Sequence, residues 1–284
     1  MLLGTVLLLD PICLGFCERY RKVNSRSLNG KTTNLENSNI VDVAIRDLEL
    51  VLKFQKSDLE RFDINDGERQ NELSSRTQLI KLNTMFRKLN RRIKARNFGI
   101  RTYDQSLIVP TLLFADPDTL EMLSLYAEVD DDWEMESDEI VKTEQWKKAE
   151  QFFSDIYLMN LKLENVCHFS RFEIKTNSIT AGELNTLRKI FVSSPNCDRW
   201  EFGFKHFDER EQAELSNIWG PSFFFDYKRH WYFRLKNPEE EALLDFQMFC
   251  GQFGGGEGIN CITFGVCEIE DVPNGAVIQD YNEN

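Results

Sequence analysis

Residues 169–207 read FSRFEIKTNSITAGELNTLRKIFVSSPNCDRWEFGFKHF. Phe169 to Lys175 reads as a strand. Thr180 follows, with Glu183 three positions on, the spacing at which a threonine hydroxyl and a glutamate carboxylate cap the first turn of a helix reciprocally. Leu184, Leu187, Ile190 and Phe191 lie on one face of that helix, and Pro195 stops it. Trp200, Phe202 and Phe204 then alternate, the period of a half-buried strand. The stretch is one strand–helix–strand step.

Similar steps lie on both sides. Phe98–Tyr103 reads as strand, Gln105–Phe114 as helix, and Thr119–Tyr126 as strand anchored by Leu120, Leu123 and Leu125. Glu139–Phe153 reads as helix with Ile140, Trp146, Ala149 and Phe153 inward, and His230–Leu235 and Cys261–Ile269 read as later strands. Strand–helix units recurring at irregular steps of roughly 20 to 35 residues fit a leucine-rich-repeat-like solenoid, although its consensus is absent. The alternative architecture is a doubly wound α/β sheet.

Toward the N-terminus, Cys13–Gly30 reads as one basic amphipathic helix and Lys31–Asn39 as a polar linker. Val41, Val43 and Ile45 alternate, as do Leu48, Leu50, Leu52 and Phe54, so the period predicts a hairpin turning at Arg46 and Asp47. Ser57–Ser75 reads as loop. Arg76–Ala95 reads as helix, with Leu79, Leu82, Phe86, Leu89 and Ile93 on one stripe. Between Lys81 and Arg101 stand eight basic residues and no acidic one. A solvated helix face is the simpler reading, and a dock for an acidic partner or an acidic part of the same chain is the other. Glu128–Glu139 reads as an acidic exposed loop. The resulting division is 1–30, a short helical segment; 31–95, linker, hairpin and basic helix; and 96–280, the α/β repeat domain.

Composition limits the function. The net charge of −13 repels phosphate backbones, which argues against nucleic acid. The seven cysteines follow no CxxC or zinc spacing and there is no Asn-x-Ser/Thr sequon, which suits a cytoplasmic or nuclear protein. MLLGTVLLL, residues 1–9, lacks the basic flank of a signal peptide and is too short to span a bilayer. Gly251, Gly254, Gly255, Gly256 and Gly258 surround Glu257 with no lysine after them, which predicts a loop and not a phosphate cradle. His168, His206 and His230 stand beside aromatics without a metal-ligand pattern. Asp130, Asp131 and Asp132 lack the alternate spacing of a calcium loop. Ser193 and Ser194 precede Pro195 as a helix stop, and no nucleophile elbow occurs. The sequence thus predicts no catalytic, metal or cofactor residues.

Three stretches carry a family likeness. LLFADPDTLEMLSLY (Leu112–Tyr126), EIVKTEQWKKAEQFF (Glu139–Phe153) and the 169–207 stretch resemble, in this order, the FTH domain of nematode F-box proteins, over about residues 40–280. ERYRKVNSRSLNG (Glu18–Gly30) resembles the second half of an F-box, and Pro11 with Ile12 resembles its start. The middle helix is missing, so the segment resembles a truncated or degenerate F-box. The resemblance implies a non-catalytic adaptor of SCF-type ubiquitin ligases, without nucleic-acid or membrane partners. Pro11, Ile12, Phe16, Tyr20, Val23 and Leu28 would contact a Skp-type adaptor, and the FTH-like part would hold a substrate protein. The alternative is a free-standing FTH interaction protein without ligase coupling.

Overall fold

A computed structural model describes residues 25–28, 31–34, 40–65, 72–102, 104–127, 133–236, 242–249 and 260–280. The chain divides into two compact units, Met1–Trp133 with Lys142–Ala149, and Glu134–Val141 with Glu150–Asn284.

The first unit opens with β1 (Ser25–Leu28) paired antiparallel to β2 (Lys31–Asn34). This corrects two readings, the helix through Gly30 and the linker from Lys31. Asn29-Gly30 is a pair that favours a two-residue hairpin loop, and that signal outweighs the weak helical pattern before it. Next, α1 (Ile40–Lys53) occupies the segment expected to be a hairpin. Arg46-Asp47 carries neither glycine nor asparagine, the residues that most favour a two-residue turn, so a tight turn is disfavoured there. Alanine, leucine, glutamate and lysine in the same segment are strong helix formers. The helix buries Val43 and Leu52 and leaves Leu50, Val51 and Phe54 exposed.

The predicted loop at Ser57–Ser75 contains β3 (Leu59–Asn65), whose alternate Phe62 and Ile64 are buried. After it, α2 (Glu72–Leu89) packs against α1, and Lys81 Nζ reaches Asp42 Oδ1 at 2.6 Å. The helix ends at Leu89 because Asn90 takes φ +46°, so Ile93 lies beyond it and forms a bridge with Ala115. A helix predicted to run to Ala95 is therefore shorter at that end. β4 (Ala95–Thr102), α3 (Ile108–Leu112) and β5 (Met122–Ala127) follow. β3, β4 and β5 are parallel and adjacent in chain order. Phe62 stacks on Phe98 at 5.6 Å, and Phe86 lies 4.8 Å from Phe114. α4 (Glu144–Lys148) ends this unit's share of the chain, with Trp146 buried to 1% exposure. The helix expected to reach Phe153 stops there.

In the second unit, β6 (Glu134–Glu136) runs parallel to β7 (Gln151–Met159). β6 buries Met135, so the acidic stretch is not wholly exposed loop. β7, β8 (Arg171–Ser178) and β9 (Arg199–His206) are parallel neighbours in chain order. α5 (Ala181–Ser193) crosses from β8 to β9, and its Thr180–Glu183 capping box is present. α6 (Glu209–Trp219) follows, N-capped by Asp208. The chain then changes to antiparallel pairing. β10 (Phe223–Phe225), β11 (Lys228–Arg234), β12 (Ala242–Phe249) and β13 (Asn260–Glu268) form a meander whose last strand pairs with β9, and β14 (Ile278–Gln279) lies parallel to β11. Neither set of parallel strands reverses its order, the feature that defines a doubly wound sheet.

A candidate protein-binding face

Side chains alternate across a sheet, so strand register assigns each residue of the second unit to one of two faces. On one face, Trp200, Phe202, Phe204, Phe246 and Phe264 are buried. Two helices cover it. Phe191 of α5 lies 5.2 Å from Trp200 and 5.9 Å from Phe264, and Trp219 of α6 lies 4.5 Å from Phe246. Each such aromatic contributes about 1.5–3 kcal/mol by leaving water. The indoles keep their hydrogen bonds, Trp200 Nε1 donating to the Phe169 carbonyl and Trp219 Nε1 to Asn185 Oδ1.

The opposite face is polar, and neither α5 nor α6 packs on it. One row across the strands runs Gln151, Arg171, Arg199, Gly265, Asp245, Tyr232. The next runs Phe153, Glu173, Glu201, Thr263, Gln247, His230. Arg171, Glu173 and Arg199 are exposed. Arg199 Nη2 donates to Glu201 Oε2 at 2.8 Å. At Gly265 an added Cβ would meet nothing within 4 Å, so the row has an open recess between Arg199 and Asp245.

The β11–β12 end of this face holds a buried polar network. His230 Nδ1 lies 3.0 Å from Asp245 Oδ1, and Gln247 Nε2 donates to Asp245 Oδ2 at 2.7 Å. Lys228 Nζ donates to Gln247 Oε1, and the Tyr232 hydroxyl lies 3.3 Å from His230 Nδ1. Burial, and then Asp245, pushes the Tyr232 hydroxyl pKa upward. Burial also pushes the Cys261 and Cys267 thiols up to about 12. Thiols held that high are poor nucleophiles near neutrality. No group of three His, Cys, Asp or Glu able to hold a metal occurs among the described residues.

Two other surfaces stand out. A groove of about 230 Å³ between α6 and the sheet is lined by Gln212, Ser216, Arg229, Trp231 and Met248. It is smaller than most small-molecule sites, which span about 300–1,000 Å³. The β10–β11 hairpin exposes Phe224, Phe225 and Tyr227 around a turn with φ +48° at Asp226 and +61° at Tyr227.

The model of the FTH domain matches residues 77–218, half of the 284-residue chain. The chain belongs to the FTH-domain family. The FTH match is narrower than the 40–280 read from the sequence, and it takes in the capped α5 step and the α4 segment that carried the likeness. Among curated proteins, the FTH chain is 20% identical to F-box A protein 224 of Caenorhabditis elegans over 204 residues, 72% of this chain and 52% of the relative. It therefore spans about half of that relative's length. No solved structure matches the chain.

The expected adaptor contacts Pro11, Ile12, Phe16, Tyr20 and Val23 lie outside the described residues, as do the glycine cluster and Asp130–Asp132. Leu28 ends β1, a strand where a helix end was expected. Of the three histidines, His230 joins the buried network. The sequence reading missed the polar face, because register brings its rows together from strands up to 94 positions apart, from Gln151 to Asp245. Among the described residues no helix is long and apolar enough to cross a membrane.

Proposed function

We propose that this FTH protein is a non-catalytic adaptor that holds a partner protein on the polar face of its second-unit sheet. One observation carries the reading: one face of that sheet is closed by α5 and α6, while the other presents Arg171, Glu173 and Arg199 to solvent. A sheet face that folding alone needed would be covered or uniformly solvated. Here it has a recess at Gly265 and a buried network that fixes its edge. Parallel strands in chain order, as in β7 to β9, are also what the leucine-rich-repeat-like reading requires. The protein works in the cytoplasm or nucleus.

The finer reading is coupling to an SCF-type ubiquitin ligase. The relative's name contains F-box, and residues 11–28 resemble part of that module. Removing a middle helix takes away roughly a few hundred Å² of apolar contact, which at about 25 cal/mol per Å² weakens binding by several kcal/mol. A purified Skp-type adaptor at micromolar concentration should therefore bind the full chain weakly or not at all. Robust nanomolar binding would instead make the chain a complete ligase receptor. The adaptor reading as a whole is tested by quantitative mass spectrometry of proteins retained by the full chain. It predicts a partner retained by the native chain and lost with Gly265→Phe, and it fails if both retain the same proteins.

A further inference from the structure

Like charges stand side by side on the polar face. Arg171 lies beside Arg199, and Glu173 lies beside Glu201 in the next row. Lys175 follows, and it converges with Lys205 on the Tyr157 ring at 5.6 and 4.3 Å. The face is therefore banded positive, negative, positive along β8, and positive, negative along β9, where Gly203 stands opposite Lys175 and Lys205 lies one row further on. Like charges directly opposite destabilise a strand pair, and alternating the signs across β8–β9 would cost nothing in packing.

The isolated chain relieves this only in part. Glu201 pairs with Arg199 along its own strand, and Lys205 reaches Glu134 at 3.0 Å. Arg171 and Glu173 form no ion pair with another described residue, and both are exposed. Burial first, and then the neighbouring Glu201, hold the Glu173 carboxyl above its ordinary range, and Arg199, Arg171 and Lys175 offset this only in part. A local rule broken on an exposed surface points to a partner and not to folding.

We propose that the bands are read by an extended segment of the partner protein whose alternate side chains run acidic, basic, acidic. Two residues of an extended chain advance about 6.6 Å, the same step that separates Arg171 from Glu173 and Glu173 from Lys175 on β8. Laid along the strands, such a segment sets opposite charge over every band. The inference rests on the protein-binding reading of this face and supplies its chemistry.

The test uses a displayed library of random twelve-residue peptides selected on the immobilised full chain. Selected clones are then measured on two variants. Arg171→Glu with Glu173→Lys keeps the net charge, touches two exposed side chains, and puts opposite charges across the β8–β9 pair. Gly265→Phe fills the recess at a backbone conformation open to any residue and against no close neighbour. The expected clones alternate acid and base. They bind the charge-swapped chain roughly tenfold more weakly, about 1.4 kcal/mol. The charge-swapped chain melts at a higher temperature than the native one. A melting temperature that does not rise removes the stored repulsion, and with it the inference. Clones sensitive to Gly265→Phe but indifferent to the swap overturn the banded recognition and leave the face as a binding site. Clones indifferent to both variants, or no clones at all, overturn the face as well.

Discussion

His230 Nδ1 lies 3.0 Å from Asp245 Oδ1 across the β11–β12 pair, with both side chains nearly sealed from water at 7% and 12% exposure. Asp245 also accepts from Gln247. Asp245→Ala strands both donors and should cost about 1–3 kcal/mol, read as a lower midpoint in urea. The double variant Asp245→Ala with His230→Phe should cost less than the sum of the single changes, because the two residues share one interaction. Additive losses would mean that the pair is not coupled.

Trp146 is 1% exposed on a helix of five residues, and its backbone N–H is capped by Thr143 Oγ1 at 3.2 Å. So short a helix cannot hold itself, and the indole must anchor it. Trp146→Ala should lower stability by about 3–5 kcal/mol. A melt like that of the native chain would show that the indole is dispensable to the core.

Thr180 and Glu183 satisfy each other's backbone donors at the start of α5. Thr180→Ala should cost about 1 kcal/mol, and Thr180→Ser should recover most of it. Chemical denaturation of the three chains measures this directly. Equal losses for alanine and serine would count against the cap.

Tyr227 sits at φ +61° in a two-residue turn where asparagine or glycine is the easier occupant. Tyr227→Gly should therefore stabilise the chain, by up to about 1 kcal/mol. If it destabilises, the 71%-exposed ring contributes to the fold and is not merely tolerated.

Burial raises the Cys167 thiol to about 11 and the Cys261 and Cys267 thiols to about 12, from 9.0. A raised folded pKa adds stability that is complete below the unfolded value and is lost as pH climbs toward the folded one. The denaturation midpoint should fall between about pH 9 and pH 12, and Cys261→Ser should make the fall shallower. A midpoint that is flat over this range, or a slope unchanged by the serine, would contradict the assignment.

The α5 step was legible because its signals are local. Thr180, Glu183 and Pro195 mark the ends of the helix, and Trp200, Phe202 and Phe204 alternate cleanly. α1 was misread because Val41, Val43, Ile45 and Leu48, Leu50, Leu52 imitate period two, and only the absence of glycine or asparagine at Arg46-Asp47 opposes a hairpin. β7 was hidden because only Ala149 and Glu150 separate the end of α4 at Lys148 from its first residue, and the apolar pattern runs on through Phe152. α6 and β12 went unassigned, although Asp208 gives α6 a capping residue. The polar face was not legible at all. Arg171 and Arg199 are 28 positions apart, and only the parallel register makes them neighbours.

The central claim is that the polar face of the second unit holds a partner protein. Covalent lysine footprinting of the full chain, with and without the partner recovered by affinity purification, tests it most directly. The account predicts that Lys175 and Lys205 lose reactivity on binding, while Lys147 and Lys148, 55% and 47% exposed, stay unchanged. Protection at Lys147 and Lys148 with none at Lys175 and Lys205 would contradict it.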